Sequence, residues 1–164
     1  MQIHILKTIL ILFLFSAIIS CNEANGRKQD SGNYYQVTKV VDGDTFWVNN
    51  GTGKDIKVRL IGIDAPESRK TGKKEIGYYG MEAKEYLTTL LSGKHVKLTS
   101  DVDSLDRYGR TLAYVYLQNG TFVNAELVKN GYARIMTIPP NIKHTDLFLD
   151  LQTEARENKR GMWK

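Results

Sequence analysis

Between Tyr34 and Ile63 the chain carries three strand-like runs separated by two turn signals, and this spacing constrains the fold more than any other feature. Tyr34–Val41 alternates and is rich in Tyr, Val and Thr, residues suited to a pleated surface. Asp42-Gly43 carries turn chemistry. Thr45–Val48 is a second run, and Asn49-Asn50-Gly51 to Gly53 is a second turn. Ile56–Ile63 is a third run, apolar on both parities. Three such strands with tight connections form a meander.

After Ile63 the period changes. Ala83, Leu87, Leu90 and Leu91 share one face of a helix over Gly80–Leu91, and Gly93 follows as a stop. His95–Ser100 and Thr111–Leu117 return to alternation. Val123–Lys129 reads as a short helix closed by Asn130-Gly131. A last helix runs from Thr145, its expected N-cap, to Asn158, with Phe148, Leu151 and Ala155 as its apolar stripe. The order β-β-β-α-β-β-α-α predicts a mainly β fold with α, a five-stranded OB-type barrel packed with three helices.

The chain has 164 residues and one cysteine, Cys21. One domain is the expected size, no intrachain disulfide can form, and no cysteine-based zinc cluster is possible. The barrel must stand on its core. Cys21 has a different context. Lys7 precedes an apolar run from Ile9 to Ile19, interrupted only by Ser16. That run is too short for an ordinary membrane-spanning helix and fits the core of a secretory signal. It ends Ile18-Ile19-Ser20-Cys21, which resembles a bacterial lipobox. Residues 1–20 are therefore expected to be a signal peptide of the lipoprotein type, with Cys21 lipid-modified and the protein exported to the cell envelope. Plain secretion is the alternative. Residues 21–32 are polar and read as a flexible tether, leaving 33–164 as the folded domain. The formal charge of +5 falls to about +4 once Lys7 is removed, an excess that suits a polyanion without requiring one.

Three stretches carry chemistry. Asp42-Gly43-Asp44-Thr45 taken alone is a turn. Val58-Arg59-Leu60-Ile61-Gly62-Ile63-Asp64-Ala65-Pro66-Glu67 puts a charged residue inside an apolar strand, which is costly unless Arg59 is paired. Pro66 ends the strand and holds Ala65 extended, leaving the Ala65 carbonyl as a candidate ligand. Arg59 and Asp64 are five residues apart, so a regular strand would point them to opposite faces. A bulge or sharp coil near Gly62 is expected to bring them to one side. The third stretch is Asp106-Arg107-Tyr108-Gly109-Arg110, where two guanidinium groups flank a phenol suited to nucleotide contact. Carboxylates can hold a hard cation against a phosphate, arginine forks match phosphate oxygens, and a further carboxylate can activate water. His95 and His144 stand alone and are expected to be structural, as are Trp47 and Trp163.

These three motifs, in this order, closely resemble the staphylococcal nuclease family. The resemblance covers most of residues 34–164, including Tyr79-Gly80 and the closing Gly161-Met162-Trp163. It implies an OB-fold barrel with three helices, a Ca²⁺ cofactor, and hydrolysis of DNA and RNA, single-stranded preferred, to 3′-phosphate products. It implies Asp44, Asp64 and the Ala65 carbonyl as calcium ligands. Glu67 corresponds to the general base, Arg59 and Arg110 to the phosphate clamps, and Tyr108 to a nucleotide contact. Asp42 is expected to support the metal indirectly. Arg107 and Lys74, with Lys70 and Lys73, are expected on the substrate backbone. Thr137 and Pro139 stand where the family places stacking aromatics. A monomer is expected. The alternative function is a non-catalytic nucleic-acid-binding module of the same fold.

Overall fold

A computed structural model describes residues 33–49, 51–70, 72 and 75–164. The expectations for the signal peptide, Cys21, the tether, Lys73 and Lys74 lie outside the described residues.

Strands β1 (Tyr34–Asp42), β2 (Thr45–Asn49) and β3 (Asp55–Leu60) form the expected antiparallel meander. Helix α1 (Gly80–Leu91) follows, then β5 (His95–Thr99) and β6 (Thr111–Leu117). The barrel closes in the order β1-β2-β3-β6-β5. Only the β3–β6 pair is parallel, with Arg59 opposite Leu112. Register shifts in β1 after Val37 and after Val40 bend that strand, so it pairs with β2 along its length and with β5 at its start. Helices α2 (Val123–Lys129) and α3 (Thr145–Glu157) and a 3₁₀ turn (Gly161–Trp163) complete the chain.

The core follows the sequence pattern. Phe46, Val48, Val58, Leu60, Val96 and Val115 point into the barrel, and Ala83, Leu87 and Leu91 of α1 cover one end. In α3 the buried stripe is Phe148, Gln152 and Ala155, with Leu151 only half-buried. Gln152 replaces the expected leucine inside because its amide oxygen accepts the N–H of Ile135 at 2.9 Å.

Three boundaries differ from the sequence reading. The third strand ends at Leu60, not Ile63, because the chain turns at Ile61-Gly62. Gly62 has φ +78°, and a side chain there would also meet the Phe148 ring at 2.6 Å. Thr145 is the first residue of α3 and not its cap. Its hydroxyl donates back to the Ile142 carbonyl at 2.9 Å, and His144 occupies the cap position. Two strands of two residues, β4 (Ile63–Asp64) and β7 (Arg134–Ile135), were absent from the expected order. They pair with each other outside the barrel, and two residues are too few to show a period.

Buried Asn124 holds the Ile61-Gly62 turn in place. Its amide donates to the Ile61 carbonyl at 2.9 Å and accepts the Val115 N–H at 2.9 Å. The N–H of Ile61 donates to the Ala113 carbonyl at 3.0 Å. Asn124 is fully buried with its amide satisfied on both sides, as such groups must be. The end of β3 is thus pinned to β6 directly before the residues expected to carry chemistry.

Candidate active site

Turning at Gly62 removes the parity conflict between Arg59 and Asp64. Arg59 Nη2 lies 3.1 Å from Asp44 Oδ2 and 3.3 Å from Asp64 Oδ1. Its Nη1 donates to the carbonyls of Leu60 at 2.6 Å and Ile63 at 2.8 Å, the two sides of the turn. Both Nη atoms of Arg59 thus face protein oxygens. The side chain is only 8% exposed. A guanidinium so placed organises the turn and joins the Asp44 carboxylate of the β1–β2 turn to the Asp64 carboxylate of β4.

Asp44 lies in the β1–β2 turn. Besides Arg59, its Oδ2 accepts the Ala65 N–H at 3.1 Å, and its Oδ1 accepts the Thr45 hydroxyl at 2.8 Å. Burial pushes the Asp44 carboxyl above its ordinary pKa. The charge of Arg59 and the two hydrogen bonds oppose that shift without cancelling it, and the nearby Asp64 charge adds to it. Asp64 is more open. Its Oδ2 accepts two N–H groups from Arg134, from Nη2 at 2.9 Å and from Nε at 3.2 Å.

Among the described residues no three His, Cys, Asp or Glu side chains gather as a metal cluster. The donor set is two carboxylates and the adjoining main chain. That set does not suit zinc, which takes clustered nitrogen or sulfur ligands. It fits a hard divalent cation that completes its shell with water.

Glu67 stands three residues beyond Asp64 in the loop after β4. Asp42 anchors this loop, its Oδ1 accepting the N–H of both Gly43 and Ser68 at 3.0 Å. The Glu67 carbonyl accepts the Gly77 N–H at 2.9 Å. Gly80, the first residue of α1, lies so close that any Cβ there would collide with the Glu67 carbonyl. The start of α1 therefore packs directly on the Glu67 backbone, and this contact requires glycine at position 80.

Arg110 comes from the loop before β6. The parallel register sets Leu112 opposite Arg59, so Arg110 lies two residues before that level, at the entry to the neighbouring strand. Asp106 aims it. The Asp106 Oδ1 accepts the N–H groups of Tyr108 and Arg110, both at 2.9 Å, and its Oδ2 accepts Arg110 Nε at 2.6 Å. Tyr108 is exposed, with the guanidinium carbon of Arg107 4.8 Å and that of Arg110 5.6 Å from its ring centre. Arg107 Nη2 also donates to the Tyr108 hydroxyl at 2.6 Å. In the Ser68–Tyr78 loop, Lys70 pairs with Glu75 at 2.6 Å on the surface.

The Asp106 latch carries a pH signature. Burial tends to raise the Asp106 carboxyl, but the hydrogen bonds from Arg110 and Tyr108 and the Arg110 charge outweigh it, so its pKa is lowered. A depressed acid stabilises the fold above its ordinary pKa of 3.8 and loses that contribution as pH falls through the folded value. Asp106→Asn is therefore expected to lower the urea midpoint near neutrality and to converge with the native protein at acid pH, once the native carboxyl is itself protonated. Equal midpoints at neutral pH would remove this role.

Sequence reasoning assigned no role to Arg134, Asn124 or Asp106. Asp106 was visible within its motif. Arg134 and Asn124 act across long stretches of chain and gave no local signal. His144 behaves as expected of a structural residue, packing edge-on against Tyr114 at 4.4 Å. Thr137 is half-buried with its hydroxyl 3.4 Å from that of Thr145, and Pro139 is exposed.

Residues 57–164 match the family model described as staphylococcal nuclease homologue. The chain is similar to the thermonuclease of Staphylococcus intermedius, with 39% identity over 133 residues, covering 81% of this chain and 77% of that protein. It is similar to the thermonuclease of Staphylococcus hyicus at 39% over 129 residues, covering 79% and 75%. An uncharacterized endonuclease of Escherichia coli is 36% identical over 155 residues, covering 94% and 86%.

Proposed function

The chain belongs to the staphylococcal nuclease family, as a nuclease with nucleic-acid substrates, and on that premise we propose that it is a calcium-dependent phosphodiesterase hydrolysing DNA and RNA to 3′-phosphate products. The observation that carries this reading is the Arg59 guanidinium joining Asp44 and Asp64 at the end of β3, with Glu67 in the following loop. A module that only bound nucleic acid would have no use for a carboxylate buried as Asp44 is, joined through Arg59 to a second at Asp64.

Asp44, Asp64 and the Ala65 carbonyl are the proposed calcium ligands. When bound, the ion supplies positive charge to the non-bridging phosphate oxygens. Glu67 orients a water and accepts its proton as the oxygen attacks phosphorus. The bond to the 5′ oxygen breaks and that oxygen takes a proton from solvent, leaving a 3′-phosphate on one fragment and a 5′-hydroxyl on the other. Arg110 contacts the equatorial oxygens, where charge is shared in the transition state. Arg59 contributes through Nε and through the carboxylates it positions. Tyr108 and Arg107 meet the nucleotide beside the scissile bond, and Lys74 meets the backbone.

Removing calcium with a chelator is expected to abolish cleavage of single-stranded DNA, and added Ca²⁺ should restore it better than Mg²⁺. Glu67→Gln should lower turnover by about a hundredfold or more while calcium affinity stays near native, as expected for loss of a general base. Full cleavage in chelator would end the metal-dependent reading. We further propose that the protein acts as a monomer, is exported, and is held at the envelope by lipid on Cys21. Export and the lipid anchor rest on the leader sequence.

A further inference from the structure

Asp64 is held by two arginines of opposite character. Arg59 is buried, and both of its Nη atoms are committed to protein oxygens. It cannot leave without dismantling the turn. Arg134 is 65% exposed and sits on a strand of two residues, directly opposite Asp64 in the β4–β7 pair. It covers Oδ2, the Asp64 oxygen that Arg59 leaves free, with a two-pronged contact. Among the described residues Asp44 has no such partner on its outer side, being 10% exposed and joined to Arg59, Thr45 and the Ala65 N–H.

From this arrangement we infer that Arg134 is a resident counter-ion, competing with the divalent cation for Asp64 and setting the cation affinity lower than the two carboxylates alone would give. The inference rests on the calcium reading of Asp44 and Asp64. The cation draws on the same carboxylate as the Arg134 fork and feels the charge of its guanidinium. An exposed arginine–carboxylate pair is weak enough to be displaced, whereas the buried Arg59 pair is not. Arg134 thus neutralises Asp64 in the cation-free protein and gives way as the ion enters. A guanidinium that merely tied β7 to β4 would have the opposite consequence. Its loss would leave Asp64 less well oriented and weaken cation binding.

The test is titration of the purified full chain with CaCl₂ by isothermal calorimetry, without substrate, for the native protein, Arg134→Gln and Arg134→Lys. The calcium-dependent rise in thermal midpoint serves as a second readout. Arg134→Gln is expected to bind calcium roughly threefold or more tightly than native, from removal of one nearby positive charge in a water-exposed setting. Arg134→Lys keeps the charge and should remain within about twofold of native. Unchanged or weaker calcium binding in Arg134→Gln, with native binding intact, overturns the counter-ion role alone. Absence of calcium binding by the native chain overturns both this role and the calcium reading beneath it.

Discussion

Arg110→Ala is expected to lower turnover about a thousandfold, in the range of arginine clamps in phosphoryl transfer, while stability changes by no more than about 1 kcal/mol. The two effects separate because of where the side chain sits. Arg110 is more than a quarter exposed, and its ion pair with Asp106 lies at the rim of the barrel. Removing it leaves no buried charge uncompensated, since Asp106 retains the two backbone N–H groups it accepts. Arg110→Lys should recover little activity, because an ammonium cannot present two parallel donors to a phosphate. Steady-state kinetics on single-stranded DNA, paired with urea unfolding, read both quantities. Turnover within tenfold of native in Arg110→Ala would remove it from the reaction.

Arg59→Ala should damage both stability and turnover. The substitution strips the Leu60 and Ile63 carbonyls of a donor and leaves Asp44 buried beside Asp64 with no positive charge between them. Deleting one partner of a buried pair costs about 3–5 kcal/mol. Turnover should fall by at least about a thousandfold, because the loop carrying Glu67 begins at the turn that Arg59 holds. Should the alanine variant fail to fold, Arg59→Lys keeps a charge in the cavity while losing the fork. It is expected to fold with a lowered urea midpoint and to remain nearly inactive. A lysine variant of native activity would show that the fork geometry is not needed.

The site was legible in the sequence to the extent that its chemistry lay within contiguous motifs. Arg59 stood out because a charge inside an apolar strand calls for a partner, and Asp44 and Asp64 are that partner. The need for a turn before Asp64 followed from counting strand parity, and Gly62 was the residue able to make it. Asp106 lay in plain view without a role, since a carboxylate in a basic loop looks solvated until its three accepted N–H groups are seen. Arg134 was beyond reach for another reason. It meets Asp64 from 70 positions away, through a strand too short to leave a pattern. Asn124 likewise reaches the Ile61 carbonyl from 63 positions away. Such contacts are properties of barrel closure and helix docking, not of any local window. In α3, periodicity chose Leu151 for the interior, where the structure buries Gln152 because the Ile135 N–H needs an acceptor.

The central claim is that the paired carboxylates, the Glu67 loop and the arginines together break the bond to the 5′ oxygen of a nucleic-acid backbone. End-group analysis of single-stranded DNA incubated with the purified protein, with Ca²⁺ or with chelator, tests it most directly. Fragments ending in 3′-phosphate and 5′-hydroxyl, formed only with calcium, are the predicted result. Intact DNA in calcium, or fragments carrying 5′-phosphate, would contradict it.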